Sequence, residues 1–382
     1  MINNDALEEM VSVIQDGHIN FLIGSGLSSP YLSTLGTIEK LLTELECKDA
    51  DKKVKKIIEV SIKKKFFDDV VLKNSDILSG DVNAEKVLIN YEEFLSFLIK
   101  ILLKRKSTLI GKQINLFTSN YDIFLEKAIE RLNVDFNDGF NGRFKPLFST
   151  SNFNKIFLKK SLQYDNRSEL PYFNLLKIHG SLTWSLNMVN DRVEFSDLNN
   201  IKGIAEKSIK ITNAIDVKND CNSIEDIFKL VDKDAEFSNE MEEFLKSYQS
   251  LAIVNPTKAK FRETLLDKNY YDLLRIFSNK LEKESSVLFV MGFSMADKHV
   301  AQIIIRAIDS NPTLMVYIVA YDDDAQEAIE KNINRSDLKY KKIKYLAPTE
   351  KMKKDGKKFS LDIINEQIFS EIFNKIKQGT EK

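Results

Sequence analysis

Ile19-Asn20-Phe21-Leu22-Ile23-Gly24-Ser25-Gly26-Leu27-Ser28 is the stretch that decides the fold. Its first half is an apolar run with the length of a buried strand. Its second half is a Gly-x-Gly turn placed to open a helix. Such a turn brings backbone N–H groups close to a pyrophosphate, which the positive end of a helix favours. Three further polar clusters each close an apolar run. Ile114, Leu116 and Phe117 lead into Thr118-Ser119-Asn120-Tyr121-Asp122. Phe173, Leu175, Leu176 and Ile178 lead into His179-Gly180-Ser181. Val287-Leu288-Phe289-Val290-Met291 leads into Gly292-Phe293-Ser294. Helical spacing separates these runs, as at Phe124, Leu125, Ala128, Ile129 and Leu132. Strands alternating with helices predict an α/β fold, a Rossmann-like doubly wound parallel sheet. Ligands of such sheets bind beyond the carboxyl ends of the strands, the edge where all four clusters are expected.

Residues 1–35 and 113–320 form the expected core. Residues 36–112 read as a helical insertion, with Tyr91, Phe94, Leu95, Leu98, Ile101 and Leu102 on one helix face. A lid, a packing module or an oligomer interface would each suit it. Residues 133–170 look loop-rich. Residues 187–250 read as a second, charged insertion with weak helical periodicity. Leu251 to Val254 is a short strand closed by Asn255-Pro256, and Leu314 to Val319 is another. Residues 321–382 read as the end of the fold and a helical tail. Its Ile364, Ile368, Ile372 and Ile376 recur at helical spacing, as core packing or as a docking face.

Composition bounds the function. The chain has 382 residues, 43% apolar and 30% charged, as in an ordinary soluble globular protein. A formal net charge of −1 lacks the footprint of a dedicated nucleic-acid binder. The runs Lys52-Lys53, Lys55-Lys56 and Lys63-Lys64-Lys65 read as solvated helix faces, which leaves direct nucleic-acid contact an open minor reading. No stretch has the length of an apolar membrane span, and the first residues lack a leader's pattern. Cys47 and Cys221 are the only cysteines, too few for a disulfide framework or a four-thiolate zinc site. The cytoplasm is the expected compartment.

The clusters carry chemistry suited to breaking a ribosyl–base bond. Phosphates need backbone donors, which Gly24 to Ser28 would supply. An oxocarbenium-like ribose needs dipolar or anionic stabilisation and a group to handle protons. Asn120, Asp122 and His179 supply an amide, a carboxylate and an imidazole whose ordinary pKa of ~6.5 suits proton transfer near neutrality. Among the three histidines, only His179 ends an apolar strand beside a glycine. Each motif alone also reads blandly: a tight turn at Gly24-Ser25-Gly26, helix caps at Asn120 and Asp122, and a turn with Asp297 supporting the next helix.

As an ordered set, Gly-Ser-Gly-Leu-Ser, Thr-Ser-Asn-Tyr-Asp, Lys-Ile-His-Gly-Ser and Gly-Phe-Ser resemble the sirtuin family. The resemblance implies that Gly24, Ser25, Gly26, Ser28 and Thr118 belong to the dinucleotide site. It implies Asn120 and Asp122 near the nicotinamide and His179 as the catalytic residue at the ribose. Gly292 and Ser294 would approach the adenosine ribose and phosphates. Protein-deacetylating sirtuins carry two Cys-x-x-Cys pairs after the His-Gly motif. This sequence has Cys221 alone there, so no zinc module and no metal is expected. Tyr121 and Gly-Phe-Ser-Met-Ala-Asp are more similar to the bacterial sirtuin-like proteins of anti-phage defence. That branch implies hydrolysis of NAD+ as substrate to nicotinamide and ADP-ribose, which starves an infected cell. It also implies a controlling partner, a HerA-type ATPase by first preference or an Argonaute-type protein, and a homo-oligomer is expected.

Two alternatives stand beside this reading. A deacylase or ADP-ribosyltransferase is disfavoured by the missing Cys pairs. A non-catalytic NAD- or ADP-ribose-sensing module is disfavoured by Asn120, Asp122 and His179 all being present.

Overall fold

The computed structural model describes residues 4–33, 36–105, 110–163, 166–187, 192–217, 221, 223–232, 236–254, 264–333 and 342–380. The expected Asn255-Pro256 closure lies outside these residues. In chain order the first strands are β1 (His18–Ile23), β2 (Gln113–Thr118), β3 (Phe136–Asn137), β4 (Phe140–Asn141) and β5 (Leu147–Phe148). The hairpin β6 (Leu158–Lys160) and β7 (Arg167–Glu169) follows, then β8 (Tyr172–Lys177), β9 (Gly180–Asn187) and β10 (Arg192–Phe195). The last are β11 (Leu251–Ile253), β12 (Ser286–Met291), β13 (Met315–Val319) and β14 (Ile343–Leu346).

A seven-stranded sheet in the order β14-β13-β12-β1-β2-β8-β3 forms the centre, and each of its strand pairs is parallel. This is the Rossmann-like α/β fold that the sequence predicts. The chain moves from β1 to β2 on one side and later to β12 on the other, so the order reverses at β1. The strands β12, β1, β2 and β8 are contiguous, and the four polar clusters follow their carboxyl ends.

Why these runs become inner strands is visible in their two faces. Ile19, Phe21 and Ile23 pack into one apolar cluster, whereas Leu22 packs into the other. Val287, Phe289 and Met291 alternate in the same way with Leu288 and Val290. A period of two with both faces apolar is what a covered parallel sheet requires. On the first face lie α1 (Asn4–Asp16), α5 (Val82–Lys104) and α15 (Ser370–Thr380), the intervening helices being introduced below. The Phe21 ring stacks on Phe289 and meets Phe94 of α5 edge-on, at 5.2 Å in both cases. The tail stripe Ile364, Ile368, Ile372 and Ile376 is buried in this cluster, so it is core packing and not a free docking face. On the second face lie α10 (Thr264–Leu281) and α11 (Lys298–Ser310).

One polar thread runs through the sheet. Asn20, Asn115 and Asn174 are in register on β1, β2 and β8. Asn115 donates to Asn20 Oδ1 at 2.8 Å, and Asn174 donates to Asn115 Oδ1 at 2.9 Å. Buried amides must find partners, and a one-residue slip would separate these. The ladder therefore holds the register of the three strands that position the site.

Several local expectations are corrected. The Gly-rich turn opens a single 3-10 turn, Ser25–Ser28, and no longer helix. The next helix, α2 (Gly36–Cys47), starts beyond it and is followed by α3 (Lys52–Phe66) and α4 (Lys73–Ser79). Residues 133–170 are not merely loop: they carry β3 to β7. After His179, Gly180 starts β9 in a second, antiparallel sheet ordered β11-β9-β10-β5-β4. The strand at Leu251 belongs to this smaller sheet. The charged segment between β10 and β11 carries α7 (Asn199–Lys210), α8 (Ile224–Lys229) and α9 (Asn239–Tyr248). Two more helices, α6 (Phe124–Leu132) and α12 (Asp323–Ile333), flank the edge described next. No described helix is long and apolar enough to cross a membrane.

Candidate active site

A cavity of about 580 Å³ opens at the carboxyl edge of the large sheet. That is within the ~300–1,000 Å³ usual for small-molecule sites, and it lies at the reversal of strand order where such folds bind ligands. Ser25 and Gly26 from the turn after β1, His179 after β8, and Gly292 and Ser294 after β12 all reach its wall. These five expected site residues are thus brought to one place. Gly24, Ser28, Thr118, Asn120 and Asp122 sit behind that wall instead, with Ser119 and Tyr121 exposed to the cavity between them.

The loops are stitched by their own backbone. Gly24 N donates to Met291 O at 2.9 Å, and Gly26 N to Gly292 O at 3.0 Å. Two of the donors expected to face a phosphate are therefore used within the protein. The glycines serve close approach: a Cβ on Gly24 would lie 2.3 Å from Gly292 O, and Gly292 itself has φ +63°. Thr118 Oγ1 donates to Ile23 O at 3.0 Å, which ties β2 to the end of β1.

The buried cluster behind the wall is a closed network. Ser28 donates to Asp122 Oδ2 at 2.8 Å and lies 3.0 Å from the Tyr91 hydroxyl. The other carboxylate oxygen accepts from Phe124 N at 3.3 Å, the turn-capping role that the sequence leaves open. Asn120 donates to Gly24 O at 3.2 Å, while its Oδ1 is buried with no hydrogen-bond partner. Lys177, at the end of β8, donates to the carbonyls of Asp122 and, at 3.5 Å, of Asn120. Its ammonium is 2.9 Å from Glu126 on α6. Burial raises the Glu126 carboxyl above its ordinary value, opposed by that ammonium. Burial, followed by the Asp122 charge, raises the Tyr91 phenol.

The wall cluster is different. His179 Nε2 lies 3.1 Å from Asp297 Oδ2, with both side chains under a tenth exposed. The contact is charge against imidazole without hydrogen-bond alignment. Asp297 Oδ1 accepts from His299 N at 2.9 Å and Val300 N at 3.3 Å, capping α11. The capping role read from the sequence is present, but the pairing with His179 is not legible there. The Tyr270 ring of α10 lies 5.9 Å from the imidazole. Val254 N donates to His179 O at 2.8 Å, and Tyr121 donates to Val254 O at 2.6 Å. The smaller sheet thereby braces the histidine. Gly180, at φ +82°, permits this, since a Cβ there would lie 2.2 Å from Ala252 O. Burial first, then the carboxylates of Glu39 and Asp297, raises the Tyr121 phenol.

The far end of the cavity is apolar, with Ile329 of α12 and Phe359 at its wall. Phe359 N donates to Tyr321 O at 2.9 Å, and Lys358 pairs with Asp322 at 2.8 Å, so the segment after β14 is pinned over β13. Among the described residues, no group of three or more His, Cys, Asp or Glu is arranged to hold a metal ion.

The chain is an α/β protein of the doubly wound class, with a cavity at the point where its strand order reverses. Within the chain, residues 244–346 match the model of a SIR2-like domain. The match runs from α9 to β14 and includes Gly292, Ser294 and Asp297; Gly24, Asn120 and His179 lie outside it. No curated protein matches the chain.

Proposed function

We propose that this cavity binds NAD+ as substrate and that the chain hydrolyses its nicotinamide–ribose bond. The observation that carries the reading is the His179–Asp297 pair on the wall of a cavity at the sheet's reversal point. The residues fit the substrate. The cavity of about 580 Å³ is large enough for a nucleotide ligand, and Ser25, Ser119 and Ser294 bring polar groups to its wall beside His179.

The bond that breaks joins C1′ of the ribose to the pyridinium nitrogen. Its electron pair goes to that nitrogen, which leaves as neutral nicotinamide. The ribose becomes oxocarbenium-like, and water adds at C1′ to give ADP-ribose and one proton. His179 holds a ribose hydroxyl or takes a proton, with the Asp297 carboxylate 3.1 Å from its Nε2. Asn120 and Asp122 act from behind, by fixing the loop that meets the nicotinamide end. Removal of NAD+ from an infected cell, in anti-phage defence, is the role this chemistry would serve. A HerA-type ATPase, with an Argonaute-type protein as the alternative, is the proposed controlling partner, and a homo-oligomer the proposed form. The test is nicotinamide release from NAD+ by the purified chain, alone and with the ATPase. Release in either condition supports the reading. NAD+ binding without release favours the sensing module, and absence of binding removes the reading altogether.

A further inference from the structure

The stretch 36–112 reads from sequence as a lid, a packing module or an interface, yet its first helix also contributes to the cavity. Ile38, Leu41, Leu42 and Leu45 of α2 are buried in the main core cluster, so the helix is held by packing independent of any ligand. Glu39 lies in its first turn, half-buried, and reaches the cavity wall together with Tyr121, His179 and Asp297. Two carboxylates therefore face the same cavity beside Tyr121. They are not equivalent. Asp297 is committed to His179 and to the cap of α11. Glu39 stands on a different element from that pair, on α2, and reaches the same cavity wall.

In inverting glycoside hydrolases, which also pass through an oxocarbenium-like state, a carboxylate deprotonates the attacking water. We infer that Glu39 is a catalytic residue that accepts the proton of the water adding to C1′. The inference rests on the NAD+ hydrolysis proposed above. In the balanced step, the water oxygen forms the bond to C1′ and one of its protons passes to the Glu39 carboxylate, which releases it to solvent. The C1′–N bond breaks without any proton transfer, because the departing nicotinamide is already neutral. Loss of Glu39 should then impair hydrolysis but not bond cleavage as such.

The experiment measures two rates on the full chain: ADP-ribose formation from NAD+, and exchange of labelled nicotinamide into NAD+. Exchange requires cleavage and re-formation of the C1′–N bond but no water. In Glu39→Gln, hydrolysis should fall about 100-fold, exchange should stay at the wild-type order of magnitude, and NAD+ affinity should be retained. Glu39→Asp should recover part of the hydrolysis. A parallel fall of both rates would reduce Glu39 to a structural part and overturn the inference, as would unchanged hydrolysis. A wild-type chain inactive in both assays, alone and with the ATPase, would instead overturn the NAD+ reading on which the inference stands.

Discussion

The cluster behind the cavity wall and the cluster on it are built from the same kinds of residue and do opposite things. Ser28, Tyr91, Asn120, Asp122 and Lys177 are closed on one another and on the backbone; the Asp122 carboxylate has both oxygens occupied. His179, Asp297, Tyr121 and Glu39 line the cavity, Tyr121 also donating to Val254 O and Asp297 capping α11. A carboxylate whose lone pairs are already bonded to the protein stabilises a loop but has little left for a substrate. A carboxylate–imidazole pair beside a cavity retains its capacity for proton transfer. The difference separates positioning from chemistry, a distinction that motif residues in a sequence do not carry.

Substitutions can break this comparison, and the largest effect is expected at the wall. His179→Ala should lower nicotinamide release about 100- to 10,000-fold while the thermal midpoint moves little, since its loss removes a proton-handling group and not a core side chain. Asp297→Asn should lower the rate less, about tenfold or more, with NAD+ affinity retained. Asparagine still caps α11, so helix stability is kept while the charge facing the imidazole is lost. Ser28→Ala lies on the other side of the comparison. It removes a donor from the buried Asp122 oxygen and should cost about 1–3 kcal/mol of stability in denaturant unfolding, with turnover of the folded fraction near wild type. A large turnover loss in stable Ser28→Ala protein would place the inner cluster in the chemistry and erase the distinction.

Much of the edge was legible in the sequence because apolar runs ending in Gly, Asn or His are strong local signals. The order of the four clusters in the chain, and their placement at the ends of parallel strands, followed from that pattern. What was not legible has identifiable causes. The His179–Asp297 pair joins two strand ends far apart in sequence, and Asp297 carries a sufficient local explanation as a helix cap. Glu39 sits in an ordinary amphipathic helix that gives no sign of facing a cavity. The small antiparallel sheet is not legible because β4 and β5 are only two residues long and β9 begins directly after the histidine that ends the preceding apolar run. Asn20, Asn115 and Asn174 interrupt apolar runs, and only register shows that they pair with one another. The Gly-x-Gly turn was read as a phosphate cradle. Its glycines instead let the loops after β1 and β12 touch, with two of its N–H groups consumed in the process.

The central claim is that His179, on the cavity wall, carries the chemistry of NAD+ cleavage. The direct test is the rate of nicotinamide release by wild type and His179→Ala under one set of conditions, with NAD+ affinity and thermal unfolding measured on the same preparations. The account predicts release by wild type and its loss by at least about 100-fold in the variant, with binding and folding intact. A folded variant that releases nicotinamide as fast as wild type would contradict it.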